Sequence, residues 1–63
     1  MGVCIDMLIR VFYDNGNDVC EFEYFSKFDR VNAKGIKDEI KNTMYRKYGK
    51  SAKYMKIVSY ERV

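Results

Sequence analysis

The pattern of apolar and polar positions predicts three β-strands and one α-helix. Residues 3–13 form a dense run of β-branched, aromatic and other apolar side chains, which is typical of a strand buried on both faces. Apolar residues alternate with polar ones over 19–26 and again over 53–61, which predicts two further strands. Between these, apolar residues recur at helical spacing, at Ala33, Ile36, Ile40, Met44 and Tyr48.

The segment between the first two predicted strands favours a tight hairpin. The Asn-Gly sequence at positions 15–16 is typical of a type I′ turn, because both central residues of that turn need a positive φ. A two-residue turn there places Ile9 opposite Phe22 on one face of the sheet. The same register places Arg10 opposite Glu21 on the other face, which is a favourable cross-strand pair.

The ends of the helix carry residues that suit its caps. Asn32 is a good N-cap residue, and Gly49 suits the left-handed conformation that often ends a helix. The sequence therefore predicts a helix over 33–48.

The predicted order ββαβ gives an α+β fold made of a single domain, residues 1–63. The first strand is apolar on both faces, so it is expected at the centre of a three-stranded antiparallel sheet of order 2-1-3. The one helix then covers one face of that sheet and leaves the other without cover. We expect a core under the helix formed by Ile9, Phe22, Ile36, Ile40 and Ile57.

The residue types offer little for catalysis, so we do not expect an enzyme. The chain has no histidine, which removes the usual general base near neutral pH. Asp38 and Glu39 are neighbours on the helix and point in different directions, so they are expected to face solvent. Cys4 and Cys20 are expected on opposite faces as free thiols, and two thiols fall short of a structural zinc site. No cofactor and no metal are predicted.

Length and charge limit the possible locations and partners. None of the apolar runs in the 63 residues approaches the roughly 20 residues that a membrane span needs. The first residues lack the basic start and cleavage site of a signal peptide, so a cytoplasmic protein is expected. The net charge of +3 is a small basic excess.

The sheet face away from the helix is the first candidate binding surface. An antiparallel sheet with one solvated face usually shows polar residues there, and persistent large apolar residues are typical of protein interfaces. The alternatives are that strand propensity alone placed them or that the termini fold over them. The partner-binding residues predicted on this face are Leu8, Arg10, Phe12, Tyr54, Lys56, Val58 and Tyr60.

One flank of the helix is the second candidate. Basic and tyrosine side chains fall within a narrow arc of the helix, a pattern that can hold phosphates but is also common on solvated helices. Its residues are Lys34, Lys37, Lys41, Tyr45 and Tyr48.

The size and element order resemble those of small phage-encoded host-takeover proteins, such as inhibitors of host RNA polymerase, antitoxins and anti-CRISPR proteins. The resemblance covers a hairpin at 3–26, a helix at 33–48 and a strand at 53–61, and no motif carries it. It implies a non-enzymatic inhibitor or modulator, from a phage or mobile element, that covers a surface of a host protein or complex. A homodimer is a further possibility, and a small nucleic-acid-binding protein is the alternative function.

Overall fold

The computed structural model describes residues 7–63 and has the predicted element order. Strand β1 spans Met7–Asp14, β2 spans Val19–Ser26, helix α1 spans Ile36–Tyr48 and β3 spans Lys56–Arg62. A 3-10 helix, Gly49–Tyr54, joins α1 to β3. The start of the first predicted strand, including Cys4, lies outside the described residues.

The three strands form an antiparallel sheet of order β2-β1-β3, which confirms the predicted α+β topology. Residues of β1 are alternately buried and half-buried along the whole strand. This central strand therefore contributes apolar side chains to both faces, as its dense hydrophobic run predicts.

The predicted register of the hairpin is wrong by two residues. Ile9 lies opposite Tyr24, and Val11, rather than Ile9, lies opposite Phe22. A shift of two keeps every side chain on its predicted face, because side chains alternate with a period of two along a strand. The face assignments in β1 and β2 therefore survive the error.

The register shifts because the turn is longer than predicted. Asp14 pairs with Val19, so four residues, 15–18, form the loop instead of two. The Asn15 side-chain Oδ1 accepts hydrogen bonds from the N–H groups of Asn17 and Asp18, each at 2.9 Å. Side-chain hydrogen bonds of this kind compete with the two-residue turn.

Helix α1 begins three residues later than predicted. Gly35 has φ of 87°, a left-handed conformation outside the helix, and it occupies the N-cap position in place of Asn32. At the other end Gly49 has φ of 67°, and its N–H donates to the Tyr45 carbonyl. The positive φ expected at Gly49 is thus present, while Gly35 delays the start of the helix.

A β-bulge in β3 changes which of its residues face the helix. Ile57 lies opposite Tyr13, but Tyr60 lies opposite Val11, with an irregularity in between. Tyr60 therefore shares the helix-side face with Ile57, and its predicted place on the outer face is wrong. An extra residue at a bulge reverses the alternation beyond it.

The core lies between β1 and α1. Ile9 and Ile40 have no exposed surface, Ile36 is 2% exposed, and Phe22 is 7% exposed. Ile57, the fifth predicted core residue, is only half-buried and packs at the edge of this cluster.

Candidate partner-binding groove

Glu39 attaches α1 to the end of β2. Its carboxylate accepts hydrogen bonds from the hydroxyls of Tyr24 at 2.7 Å and Ser26 at 2.6 Å. It also accepts one from the Lys27 backbone N–H at 2.9 Å. The expectation that Glu39 simply faces solvent is wrong, because Ser26 is fully buried and needs an acceptor.

These contacts determine the acid–base behaviour of the attachment. Partial burial alone would raise the pKa of Glu39, but the hydrogen bonds from Ser26, Lys27 and Tyr24 outweigh it and lower that pKa. Burial and the bond to Glu39 together raise the pKa of the Tyr24 phenol, which stays protonated as a donor.

A second contact holds the end of α1 to the sheet. The Tyr13 hydroxyl donates to the Tyr48 hydroxyl at 3.0 Å, and the two rings lie 5.5 Å apart. Tyr48 is half-buried against the core and so does not belong to the predicted basic flank. The hydrogen bond to Tyr48, followed by burial, raises the pKa of Tyr13.

A groove lies on the other side of α1, towards β3. Helix α1 is hydrogen-bonded to the end of β2 through Glu39, and an open space of about 720 Å³ lies between α1, the 3-10 helix and β3. Its apolar lining comes from these three elements and from Met55, which lies between the 3-10 helix and β3; the other apolar residues are Met44, Ala52, Ile57 and Val58.

Lysine and tyrosine side chains complete the lining of the groove. Tyr45 from α1 and Tyr60 from β3 both line it, and Tyr45 is 50% exposed. The lysines that line it are Lys37, Lys41, Lys53 and Lys56. No aspartate or glutamate is among the described residues that line it, so its potential is positive.

A smaller groove on the β2 side of α1 differs in charge. Lys27 and Arg46 line it together with Asp38 and Glu39, so its charges are balanced. Both grooves contain apolar residues, and of the two only the one beside β3 has lining charges of a single sign.

The structure brings together parts of the two predicted surfaces. Lys37, Lys41 and Tyr45 of the helix flank line the β3-side groove. Three residues predicted on the sheet face, Lys56, Val58 and Tyr60, line the same groove from β3.

Other predicted residues lie elsewhere. Leu8, Arg10 and Phe12 alternate with the buried residues of β1, so they lie on the outer face, as predicted. Tyr54 belongs to the 3-10 helix rather than to a strand, and it is 71% exposed. Lys34 is exposed in the turn before α1 and does not line the groove.

An ion-pair network crosses the outer face of the sheet. Arg10 Nη2 lies 2.8 Å from a Glu23 carboxylate oxygen, and Arg10 also lies 3.5 Å from Glu21 and from Glu61. This network stands between Leu8 and Phe12 on β1, so the predicted apolar patch is interrupted. The predicted Arg10–Glu21 contact is present, although the residue directly opposite Arg10 in β2 is Glu23.

We expect Arg10→Met to destabilise the protein at neutral pH. The substitution leaves Glu21, Glu23 and Glu61 close together without the cation between them. Urea denaturation at pH 7 should show a lower midpoint for Arg10→Met than for the wild type, and the difference should shrink at high salt, which screens the glutamate charges. An unchanged midpoint, or a difference that salt does not alter, would contradict this role. The matched second substitution, made together with Arg10→Met, is Glu61→Gln, which removes one of the three carboxylate charges that repel one another when Arg10 is absent.

Sequence reasoning missed three kinds of contributor. Ala52 and Lys53 belong to a 3-10 helix where the sequence predicts loop and strand, and Met44, which is in the core as its helical spacing predicts, also touches the groove. Glu39 was missed because its hydrogen-bond donors are distant in sequence. The run of lysines over 50–56 was a usable signal for the basic side of the groove.

The described residues give no direct sign of other chemistry. Within residues 7–63 no three histidine, cysteine or carboxylate side chains come together as a metal site. No helix in this part of the chain has the length and apolar character needed to cross a membrane. Comparison with protein-family models, curated proteins and solved structures gives no significant match.

Proposed function

We propose that the protein is a non-enzymatic protein-binding module that uses the β3-side groove to hold a segment of its partner. The observation that supports this most directly is the combination of an apolar lining with lysines and no lining carboxylate. Such a groove favours a segment with both apolar and acidic side chains, because it offers each a complementary contact.

A protein partner suits the groove better than nucleic acid does. Met55, Ile57 and Val58 offer contact area to aliphatic side chains, which nucleic acids lack. The glutamates of the ion-pair network would also repel phosphates from the outer face of the sheet.

Nucleic acid is the second candidate, and one observation favours it. Tyr45 and Tyr60 lie in the same groove as Lys37 and Lys41, and tyrosine rings beside lysines can stack bases while holding phosphates. Binding of this kind would weaken steeply as salt rises, whereas a partly apolar protein contact would weaken less.

The resemblance to phage-encoded host-takeover proteins suggests the identity of the partner. Those proteins act in stoichiometric amounts by covering a functional surface of a host protein or complex. We infer that this chain is an inhibitor or modulator of the same kind and that its partner belongs to a host cell.

The test is binding to the partner recovered from the native host. After identification by pull-down and mass spectrometry, the purified partner is titrated with the wild type and with Lys37→Glu/Lys41→Glu. We expect the double variant to bind at least roughly tenfold more weakly, because it reverses two charges of the groove.

Two further variants serve as controls. Lys34→Glu/Lys50→Glu makes the same charge change at exposed lysines outside the groove lining and should bind within about twofold of the wild type. Phe12→Ala tests the outer face. Equal losses of partner affinity from the two lysine pairs would indicate general electrostatic attraction rather than a specific site. A loss of affinity from Phe12→Ala alone would indicate that the binding site is the outer face of the sheet. Recovery of RNA or DNA with a steep salt dependence would establish the second candidate instead.

A further inference from the structure

The outer edge of β3 has no partner strand among the described residues. β3 pairs with β1 on one side only. The Val63 N–H donates to the Leu8 carbonyl at 2.9 Å, which makes Leu8 and Val63 a hydrogen-bonded pair. Hydrogen-bonding direction alternates along an antiparallel strand, so the backbone groups of Tyr60 and Arg62 point away from β1, towards the free edge.

The groove adjoins this free edge as far as Tyr60, and Arg62 lies beyond the groove lining. Tyr60 and Ile57 direct their side chains to the helix-side face, and both line the groove. Lys37 and Lys41 face them across the groove from α1. Free backbone groups, apolar side chains and cations therefore lie next to one another along a single strip of the surface.

We propose that the groove binds an extended acidic segment of the partner protein, which adds to the free edge of β3 as a fourth strand. This rests on the proposed function and specifies its ligand. Backbone hydrogen bonds to Tyr60 and Arg62 hold the added strand, and alternate side chains enter the groove. Apolar side chains there contact Ile57 and Met55, and carboxylates reach Lys37 and Lys41.

The charges on the surface favour this occupant over the other strand arrangements. Two copies of this chain meeting edge to edge through β3 would bring two sets of groove lysines together, which is repulsive. The other free edge belongs to β2, whose outward residues include Glu21 and Glu23 and would repel an acidic strand.

The probe is a synthetic peptide of about nine residues, a typical strand length, in which threonine alternates with valine and glutamate. Valine and glutamate thus share one face of the strand. Two N-methylated versions accompany it: one methylated at the threonine amides, the other at the valine and glutamate amides. Each methylated peptide loses the amide donors on only one edge of the strand. If the peptide bound as a helix, either methylation would weaken its binding, because a helix uses the amide donors of both residue sets.

We expect the parent peptide to bind one-to-one and to protect the Tyr60 and Arg62 amides from hydrogen exchange. One methylated peptide, and only one, should bind at least roughly tenfold more weakly. If the peptide methylated at the valine and glutamate amides is the one that loses affinity, the added strand is antiparallel to β3. If the peptide methylated at the threonine amides loses affinity, the added strand is parallel to β3. The variant Lys37→Glu/Lys41→Glu should bind the parent peptide more weakly than the wild type does, and Lys34→Glu/Lys50→Glu should bind it as the wild type does.

The outcomes separate the two proposals. Absence of parent-peptide binding, or equal effects of the two methylated peptides, would overturn strand addition. If the groove lysines still control binding of the native partner in that case, the proposed function stands and only the mode of binding is wrong. If the groove lysines affect binding of neither the peptide nor the native partner, the groove is not the binding site.

Discussion

Replacing Ile40 with alanine should lower the free energy of unfolding by roughly 2–5 kcal/mol, the usual loss when a fully buried aliphatic side chain is truncated. Ile40 has no exposed surface and lies in one cluster with Ile9, Val11 and Ile36. A domain of this size has roughly 0.05–0.15 kcal/mol of stability per residue, so this single change can remove most of it.

Urea denaturation followed by circular dichroism measures this loss. Ile40→Val should cost only about 0.5–1.5 kcal/mol, because most of the buried contact remains. Asn42→Ala, at an exposed position of the same helix, should change stability by less than about 0.5 kcal/mol. A loss for Ile40→Ala as small as that of Asn42→Ala would mean that α1 does not pack on the sheet through this face.

The topology could be predicted because it depends on patterns that extend over whole elements. The dense apolar run over residues 3–13 indicated a strand apolar on both faces, and such a strand belongs at the centre of the sheet. The helical spacing of Ile36, Ile40 and Met44 indicated which face of α1 is buried. Each of these inferences draws on many residues, so one misplaced boundary does not change it.

Details that depend on a single residue could not be predicted as well. The Asn15 side chain accepts hydrogen bonds from two backbone N–H groups of a four-residue loop. The Asn-Gly pair alone does not distinguish this loop from a two-residue turn. The bulge in β3 reverses the facing of Tyr60, yet no residue type marks it clearly in the sequence.

The groove is a tertiary feature, which explains why only its separate parts can be predicted from the sequence. Lys37 and Lys41 were predicted on a helix flank, and Lys56 and Tyr60 on a sheet face, as competing surfaces. They line one groove because α1 is attached at the β2 side, which opens the β3 side. The contact responsible for that attachment is made by Glu39, and its donors Tyr24 and Ser26 come from another element.

Replacing Glu39 with glutamine should lower the free energy of unfolding by about 1.5–3 kcal/mol, the range for hydrogen bonds to a charged group. The carboxylate accepts from Tyr24, Ser26 and the Lys27 N–H, and glutamine cannot accept all three because one oxygen becomes an NH₂ donor. Asp38→Asn is the matched control, since Asp38 is exposed in the same helical turn. It should show only the smaller dipole effect of about 0.3–1 kcal/mol.

The loss from Glu39→Gln should also depend on pH in a defined direction. The pKa of Glu39 is lower in the folded protein than in the unfolded chain, where glutamate has a pKa of about 4.3. The ionised carboxylate therefore stabilises the fold fully above that unfolded value, and the stabilisation is lost as pH falls through the folded pKa. Urea denaturation from pH 7 to pH 3 should show the wild type and Glu39→Gln converging at the acidic end. A difference that persists unchanged at pH 3 would mean that the charge of Glu39 does not hold α1 to β2, and the attachment that opens the β3-side groove would then need another cause.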